Sequence, residues 1–375
     1  MVDNSKLFEK VVLNNKVEVP SRLSIAPLTL FSSNEDGTIS DGEAEYLRVR
    51  ATEVGLYILG ATAVSQEGIT FPCQPLALTE KDIPSIAKRA QIIKDQGALA
   101  INQIHHGGSK AEKKLSGLSP VVPTAEVPNE ELKKDGKLTD ETECKELTDA
   151  QINKIIDDFA NACEISLKAG CDGIEIHGAN NFLLQQFYSP HTNKRSDDWG
   201  GSDEKRMNFC LKIVDACVKV KEKNNKPDFI IGYRLSPEEP FEDGLTMTET
   251  LKLVRALVLK PIQFIHISQH DFFQKAHRGE GAGTERLKLI HEITKGKVAL
   301  IGVGGLRIDS DFKKAAESGL CEFIASGVAS ILNKSLGILL KEKKGDKIVP
   351  KFDSTHPENY SMPPSLWDLC IKWKF

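Results

Sequence analysis

Short apolar runs rich in Val, Ile and Ala recur along the chain. Each ends in glycine or polar residues and is followed by a stretch with helical spacing of its apolar positions, the pattern of repeated β/α units. There are eight such runs, and they predict strands over Leu23–Leu28, Leu56–Ala63, Leu99–His105, Gly173–His177, Phe229–Leu235, Phe264–Ser268, Val298–Val303 and Glu322–Ser326. Three intervening segments open with capping signals, Ser40-Asp-Gly-Glu43, Thr148-Asp-Ala-Gln151 and Thr246-Met-Thr-Glu249. In each, a hydroxyl and a residue three positions on can satisfy free helical N–H groups. Gly97, Gly170 and Gly319 stand just before strands, where a helix ends on a residue that tolerates positive φ. The repeat predicts an α/β protein, a (β/α)8 TIM barrel forming one large domain over residues 1–340.

Two stretches break the repeat. The opening VVLNNKVEVPSRL alternates around Asn14-Asn15-Lys16 and reads as an N-terminal hairpin that plugs the bottom of the barrel. Residues 109–147, after the third strand, are rich in Lys, Glu, Pro and Gly and too long for an ordinary connection. They read as a capping insertion over the C-terminal mouth, the face that carries the site in this architecture. Residues 341–375 form a C-terminal extension. Its Lys341–Lys347 region reads as a solvated connection, and the aromatic tail SLWDLCIKWKF packs either on this barrel or on a neighbouring subunit of a homo-oligomer.

Composition narrows the function classes. With 40% hydrophobic and 27% charged residues the chain has ordinary globular character and material for a large core. A net charge of −4 lacks the basic footprint that a phosphate backbone demands, so nucleic acid is not the expected partner. No apolar run suits a signal peptide or a bilayer span, which points to no membrane partner and a cytoplasmic location. The eight cysteines include no C-x-x-C pair and suit reduced, buried thiols better than disulfides; no metal site is expected.

Candidate chemistry begins in the fourth strand. With a side-chain period of two, Ile174 and Ile176 face the outer helices while Glu175 and His177 point into the barrel, His177 at the C-terminal end. Asn180 follows where the chain leaves the strand, so an imidazole N–H and an amide N–H can converge on one acceptor atom.

The run Glu175-Ile-His177-Gly-Ala-Asn180, continuing NFLLQQFYSPHTNKRSDDWGGS to Ser202, resembles the signature of the old yellow enzyme family of FMN-dependent ene-reductases. The resemblance extends in order to Ala26-Pro27-Leu28-Thr29, Leu59-Gly60-Ala61-Thr62, Gln103-Ile-His-His106-Gly, Gly232-Tyr-Arg234, Val303-Gly304-Gly305 and Ser326-Gly327, all at strand ends. It implies FMN as cofactor, NADH or NADPH as reductant, and a small-molecule electron acceptor. Gln103 is implied at the pyrimidine edge of the flavin, Thr29 near C4/N5, and Ala26, Pro27, Leu28, Gly60, Ala61 and His177 are implied among the other flavin-contacting residues. Arg234 would stabilise the negative charge of the reduced flavin near N1 and O2, pair with the inward Glu175, or do both. Gly304, Gly305, Ser326 and Gly327 would cradle the phosphate with backbone N–H groups.

The mechanism implied is ping-pong. NAD(P)H reduces FMN at N5 and leaves; an activated alkene, quinone or nitro compound then takes the hydride while His177 and Asn180 hold its electron-withdrawing oxygen. Phe182 lines the substrate pocket where the family commonly has the tyrosine that protonates the substrate α-carbon, which shifts the expectation toward quinone or nitro acceptors. Val328, Asn181 and Trp199 replace the family's more usual arginine, glycine and tyrosine. Three other readings compete. An FMN barrel reducing tRNA uridines should show a basic groove, an aldolase or isomerase needs a catalytic lysine or carboxylate pair at strand ends, and a non-catalytic flavin sensor would fit the loss of the tyrosine.

Overall fold

In the computed structural model, residues 2–125 and 144–373 are described. Eight parallel strands close into a barrel: β1 (Leu23–Ile25), β2 (Leu56–Ala63), β3 (Leu99–His105), β4 (Gly173–Gly178), β5 (Ile230–Leu235), β6 (Phe264–Ile267), β7 (Ala299–Val303) and β8 (Phe323–Ser326). They neighbour one another in chain order, and β8 closes on β1. Each is followed by a helix: α1 (Asp41–Arg50), α2 (Ile83–Lys94), α3 (Asp149–Lys168), α4 (Asp203–Lys223), α5 (Met247–Leu257), α6 (Arg286–Thr294), α7 (Asp309–Ser318) and α8 (Val328–Leu332). The (β/α)8 barrel expected from the repeat is the fold observed. The first strand is shorter than predicted because the chain leaves the ladder at Ala26-Pro27, where proline has no N–H to donate.

Alternation along the strands divides the core in two. Ile174 and Ile176 join the outer layer with Phe159, Ile213 and Val214 of α3 and α4. Ile58, Ile101, Ile230, Phe264, Ile301 and Phe323 fill the barrel interior, where Leu13 and Val19 of the N-terminal hairpin join them. The hairpin pairs Val11–Val12 with Glu18–Val19 and is tied to the barrel floor. Asn14 Nδ2 donates to the carbonyls of Ile262 (2.8 Å) and Lys297 (2.9 Å), just ahead of β6 and β7. The predicted plug is therefore real, held by hydrogen bonds to carbonyls that the strand ladders leave over.

Thr148 and Thr246 close reciprocal capping boxes with Gln151 and Glu249. Ser40 accepts from the Glu43 N–H, but the Glu43 side chain does not return the bond. Its carboxylate forms a buried ion pair with Arg89 at 2.7 Å, because a buried guanidinium has the stronger claim on it. Gly97, Gly170 and Gly319 adopt φ of +90°, +79° and +66°, as their positions before strands required.

Of the insertion, residues 109–125 and 144–147 are described; its remaining residues, 126–143, lie outside the described set. Val121–Val122 pairs with Lys145–Glu146, and Arg195 ties both ends of the excursion through the carbonyls of Pro123 and Leu147. In the C-terminal extension, Trp367 packs against Phe352 and Tyr360 at centroid distances of 4.8 and 5.8 Å, and Arg50 donates to the Tyr360 carbonyl at 2.6 Å. Those contacts fasten the tail to its own barrel. The cysteines are all free thiols, most of them buried. Among the described residues no helix is long and apolar enough to cross a membrane.

Candidate active site

At the C-terminal end of the barrel, strand register aligns Gln103 with Glu175, and His177 with Arg234 and His266. These five side chains are buried. Glu175 Oε1 accepts from Gln103 Nε2 at 2.7 Å, and its Oε2 lies 2.8 Å from His266 Nδ1. This corrects one expectation. Arg234 forms no ion pair with Glu175, whose two oxygens are taken by Gln103 and His266, and Arg234 Nε is left buried without a partner among the described residues. Burial pushes the arginine pKa down while the nearby Glu175 charge pushes it up.

His177 Nδ1 accepts the Ala179 backbone N–H at 3.3 Å, so the ring proton sits on Nε2. Burial, reinforced by His105 and Arg234, holds its pKa well below 6.5; the ring is neutral and offers one N–H donor. Asn180 is exposed and left-handed, with φ +58°. Its N–H donates to Ser236 Oγ (2.9 Å) and its Oδ1 accepts from Ser268 Oγ (2.8 Å), which leaves the amide nitrogen as the end available to donate outward. Asn181 is left-handed as well, at φ +56°, a conformation glycine takes freely and asparagine tolerates. Its Oδ1 accepts from Gln185, which also donates to the buried Glu239, so this turn is rigidly held.

Phe182 stands against both neighbouring histidines, edge-on to His177 at 5.0 Å and to His105 at 4.4 Å. The position where the family commonly has a tyrosine is thus beside His177. Trp199 is elsewhere: its indole N–H donates to Asp149 Oδ1 at 2.7 Å, at the start of α3.

Around the mouth, Ala26 and Ala61 are buried, and Pro27, Leu28, Thr29 and Gly60 are half-buried. A Cβ on Gly60 would come within 2.1 Å of the Leu28 carbonyl, so glycine is what lets the segment after β1 lie against the register shift in β2. After β7, Gly304 and Gly305 take φ of +131° and +67°. At the end of β8, Ser326 Oγ is buried without a partner among the described residues, and a Cβ on Gly327, just after it, would meet nothing within 4 Å. Arg307, on the same loop as the paired glycines, likewise has a buried, unpartnered Nη1.

His266, Ser236, Ser268 and Arg307 were missed in the sequence. His266 alone had a signal, since in Phe264-Ile-His-Ile267 the alternation that sends Glu175 inward sends this histidine inward too. Beside Asn180 opens a cavity of about 640 Å³ lined by Ser236, Glu238, Ser268, His270 and Arg278 among others.

Fold and site together define the class, a (β/α)8-barrel oxidoreductase. The chain matches the NADH:flavin oxidoreductase / NADH oxidase family over residues 6–346 and belongs to it. It is 40% identical over 365 residues to a probable NADH-dependent flavin oxidoreductase, YqiG, of Bacillus subtilis, covering 97% of this chain and 95% of that protein. It is 30% identical over 370 residues to the NADH:acrylate oxidoreductase of Vibrio harveyi, covering 97% of this chain but 36% of that protein. The solved structure of the old yellow enzyme homologue from Zymomonas mobilis superposes with a TM-score of 0.78 at 25% identity, covering 96% of this chain and 99% of that one. The cofactor is FMN and the reductant NAD(P)H. The aldolase and isomerase alternative falls with that assignment.

Proposed function

We propose that the protein passes hydride from NAD(P)H to an activated alkene, quinone or nitro compound in two half-reactions at one site, with His177 and Asn180 holding the acceptor's electron-withdrawing oxygen. The observation that carries this reading is the donor pair itself. His177 is fixed as a neutral Nε2–H donor by the Ala179 N–H, and the Asn180 amide is turned by Ser268. Two such donors stabilise an oxygen that gains negative charge in the transition state, each worth on the order of 3 kcal/mol.

Bound FMN supplies the two-electron chemistry that links reductant to acceptor. Arg234 and Gln103 would hold its pyrimidine edge and Ala26, Pro27, Leu28, Thr29, Gly60 and Ala61 its ring, while Gly304, Gly305, Ser326 and Gly327 would hold its phosphate. The buried, unpartnered Arg234 Nε and Ser326 Oγ support that fit, since buried polar atoms require partners. Arg307 would supply a guanidinium on the phosphate loop although Val328 does not. The name of the Vibrio harveyi relative supports the alkene class, acrylate being an activated alkene. The loss of the tyrosine at Phe182 favours quinone or nitro acceptors instead.

The test is anaerobic reduction of the purified protein with NADPH or NADH, followed by cyclohexenone. Rapid return of the oxidised flavin spectrum is expected. A flavin that reduces but is reoxidised by quinone and not by the enone would move the assignment to the second acceptor class, and a preparation without flavin would defeat the proposal.

A further inference from the structure

Three observations place a cation beside the ring that stands where the family commonly has a phenol. Lys110 Nζ lies 5.5 Å from the centroid of the Phe182 ring and donates to the Asn180 carbonyl at 3.2 Å. The turn that carries it is clamped to the helix that begins after Phe182: Gln186 Oε1 accepts from the Ser109 N–H (3.1 Å) and Gln186 Nε2 donates to Ser109 Oγ (2.8 Å). Gly108, just before, adopts φ +61° with a Cβ position only 2.3 Å from Gln186 Oε1, so a side chain there would be strained and would displace the Gln186 amide that makes the clamp.

Among the described residues, the histidines and the tyrosine nearest Phe182 are poor acids. Burial pushes the pKa values of His105 and His106 down to about 3 and that of His177 well below 6.5, so none of the three carries an acidic ring proton near neutrality. The Tyr233 hydroxyl is buried away from this cluster, against Gly178. An ammonium, by contrast, is close to a phenol in acidity, about 10.4 against about 10.

We propose that Lys110 is the proton donor for alkene reduction, taking the part that a tyrosine at position 182 would play. The inference rests on the alkene reading of the acceptor. As hydride derived from NAD(P)H arrives at the β-carbon, the alkene π pair is displaced onto the α-carbon. That pair takes a proton from Lys110 Nζ: an N–H bond breaks, a C–H bond forms, and the neutral amine left behind regains its proton from water. The lysine stem is flexible enough to swing between the Asn180 carbonyl and an acceptor held by the Asn180 side chain.

The experiment follows flavin reoxidation in anaerobic stopped flow, with cyclohexenone and with a benzoquinone, after reduction by NADH. Lys110→Met should slow the enone reaction roughly 10²- to 10⁴-fold, the usual worth of a general acid, and the quinone reaction far less. Lys110→Arg keeps the charge and a donor to the Asn180 carbonyl but has no releasable proton, and should be as slow with the enone as Lys110→Met. Adding Phe182→Tyr to Lys110→Met should restore the enone rate to within about tenfold of wild type. In D2O the wild-type product of a 2-substituted enone should carry deuterium at the α-carbon on one face, and the Lys110→Met product on both. FMN content and melting temperature identify a variant that has merely misfolded. An unchanged enone rate in Lys110→Met, equal slowing with both acceptors, or full activity in Lys110→Arg would overturn the proposal. A wild-type enzyme reoxidised by quinone but never by the enone would overturn it together with the alkene reading, whereas failure of Lys110 alone leaves wild-type enone turnover intact.

Discussion

Replacing Arg234 with glutamine tests the electrostatics of the site. The guanidinium is buried, its Nε has no protein partner among the described residues, and the nearby Glu175 carboxylate is already held by Gln103 and His266. In the proposed site its charge would therefore stabilise an anionic reduced flavin. A charge-assisted hydrogen bond contributes about 1.5–3 kcal/mol, and for a two-electron couple 1.4 kcal/mol corresponds to roughly 30 mV. Arg234→Gln should accordingly lower the flavin midpoint potential by about 30–65 mV, and Arg234→Lys by less. Dye-equilibrated anaerobic titration of the FMN-saturated protein gives the value. A shift under about 10 mV, equivalent to under half a kcal/mol, would refute the reasoning. If Arg234 served mainly to neutralise Glu175, the variant would instead keep its potential and lose about 3–5 kcal/mol of stability, the cost of leaving a buried charge uncompensated.

His177→Ala and Asn180→Ala should each weaken binding of phenol-type ligands and slow acceptor reduction by about 10²- to 10³-fold, the worth of one oxyanion donor; unchanged ligand affinity in both, by flavin absorbance titration, would remove them from the site. Stability should also depend on the buried histidines. His105 and His106 titrate near 3 in the folded protein against 6.5 when free, so the unfolded chain binds protons that the native state refuses. Stability is thus complete above about pH 6.5 and falls as pH drops toward 3, by about 1.4 kcal/mol per pH unit for each histidine. Melting temperatures between pH 7.5 and 4.5 should decline, and a midpoint flat across that window would contradict the assignment.

The alternation of apolar and polar positions, a local property, made the strands and their inner faces legible. Leu56–Ala63 and Leu99–His105 have the predicted bounds, and the parity that sends Glu175 and His177 inward holds. Capping hydroxyls and glycines before strands were legible for the same reason, since each acts within one turn of chain. Periodicity says which face a residue occupies but not which neighbour wins its hydrogen bonds. Glu43 had a local partner in its own cap and yet bonds Arg89, 46 residues away. Glu175 has Gln103 and Arg234 on the flanking strands and His266 on the next strand but one, and only the closed barrel's register settles that the first and last bond it while Arg234 does not. The approach of Lys110 to Phe182 is likewise non-local, created by the Ser109–Gln186 clamp across 77 residues. The sequence thus determined the barrel and the inward faces of its strands. Tertiary structure decided the pairing of its buried polar groups, because that depends on strand register and on competition for a few lone pairs in an interior where water is not there to satisfy the rest.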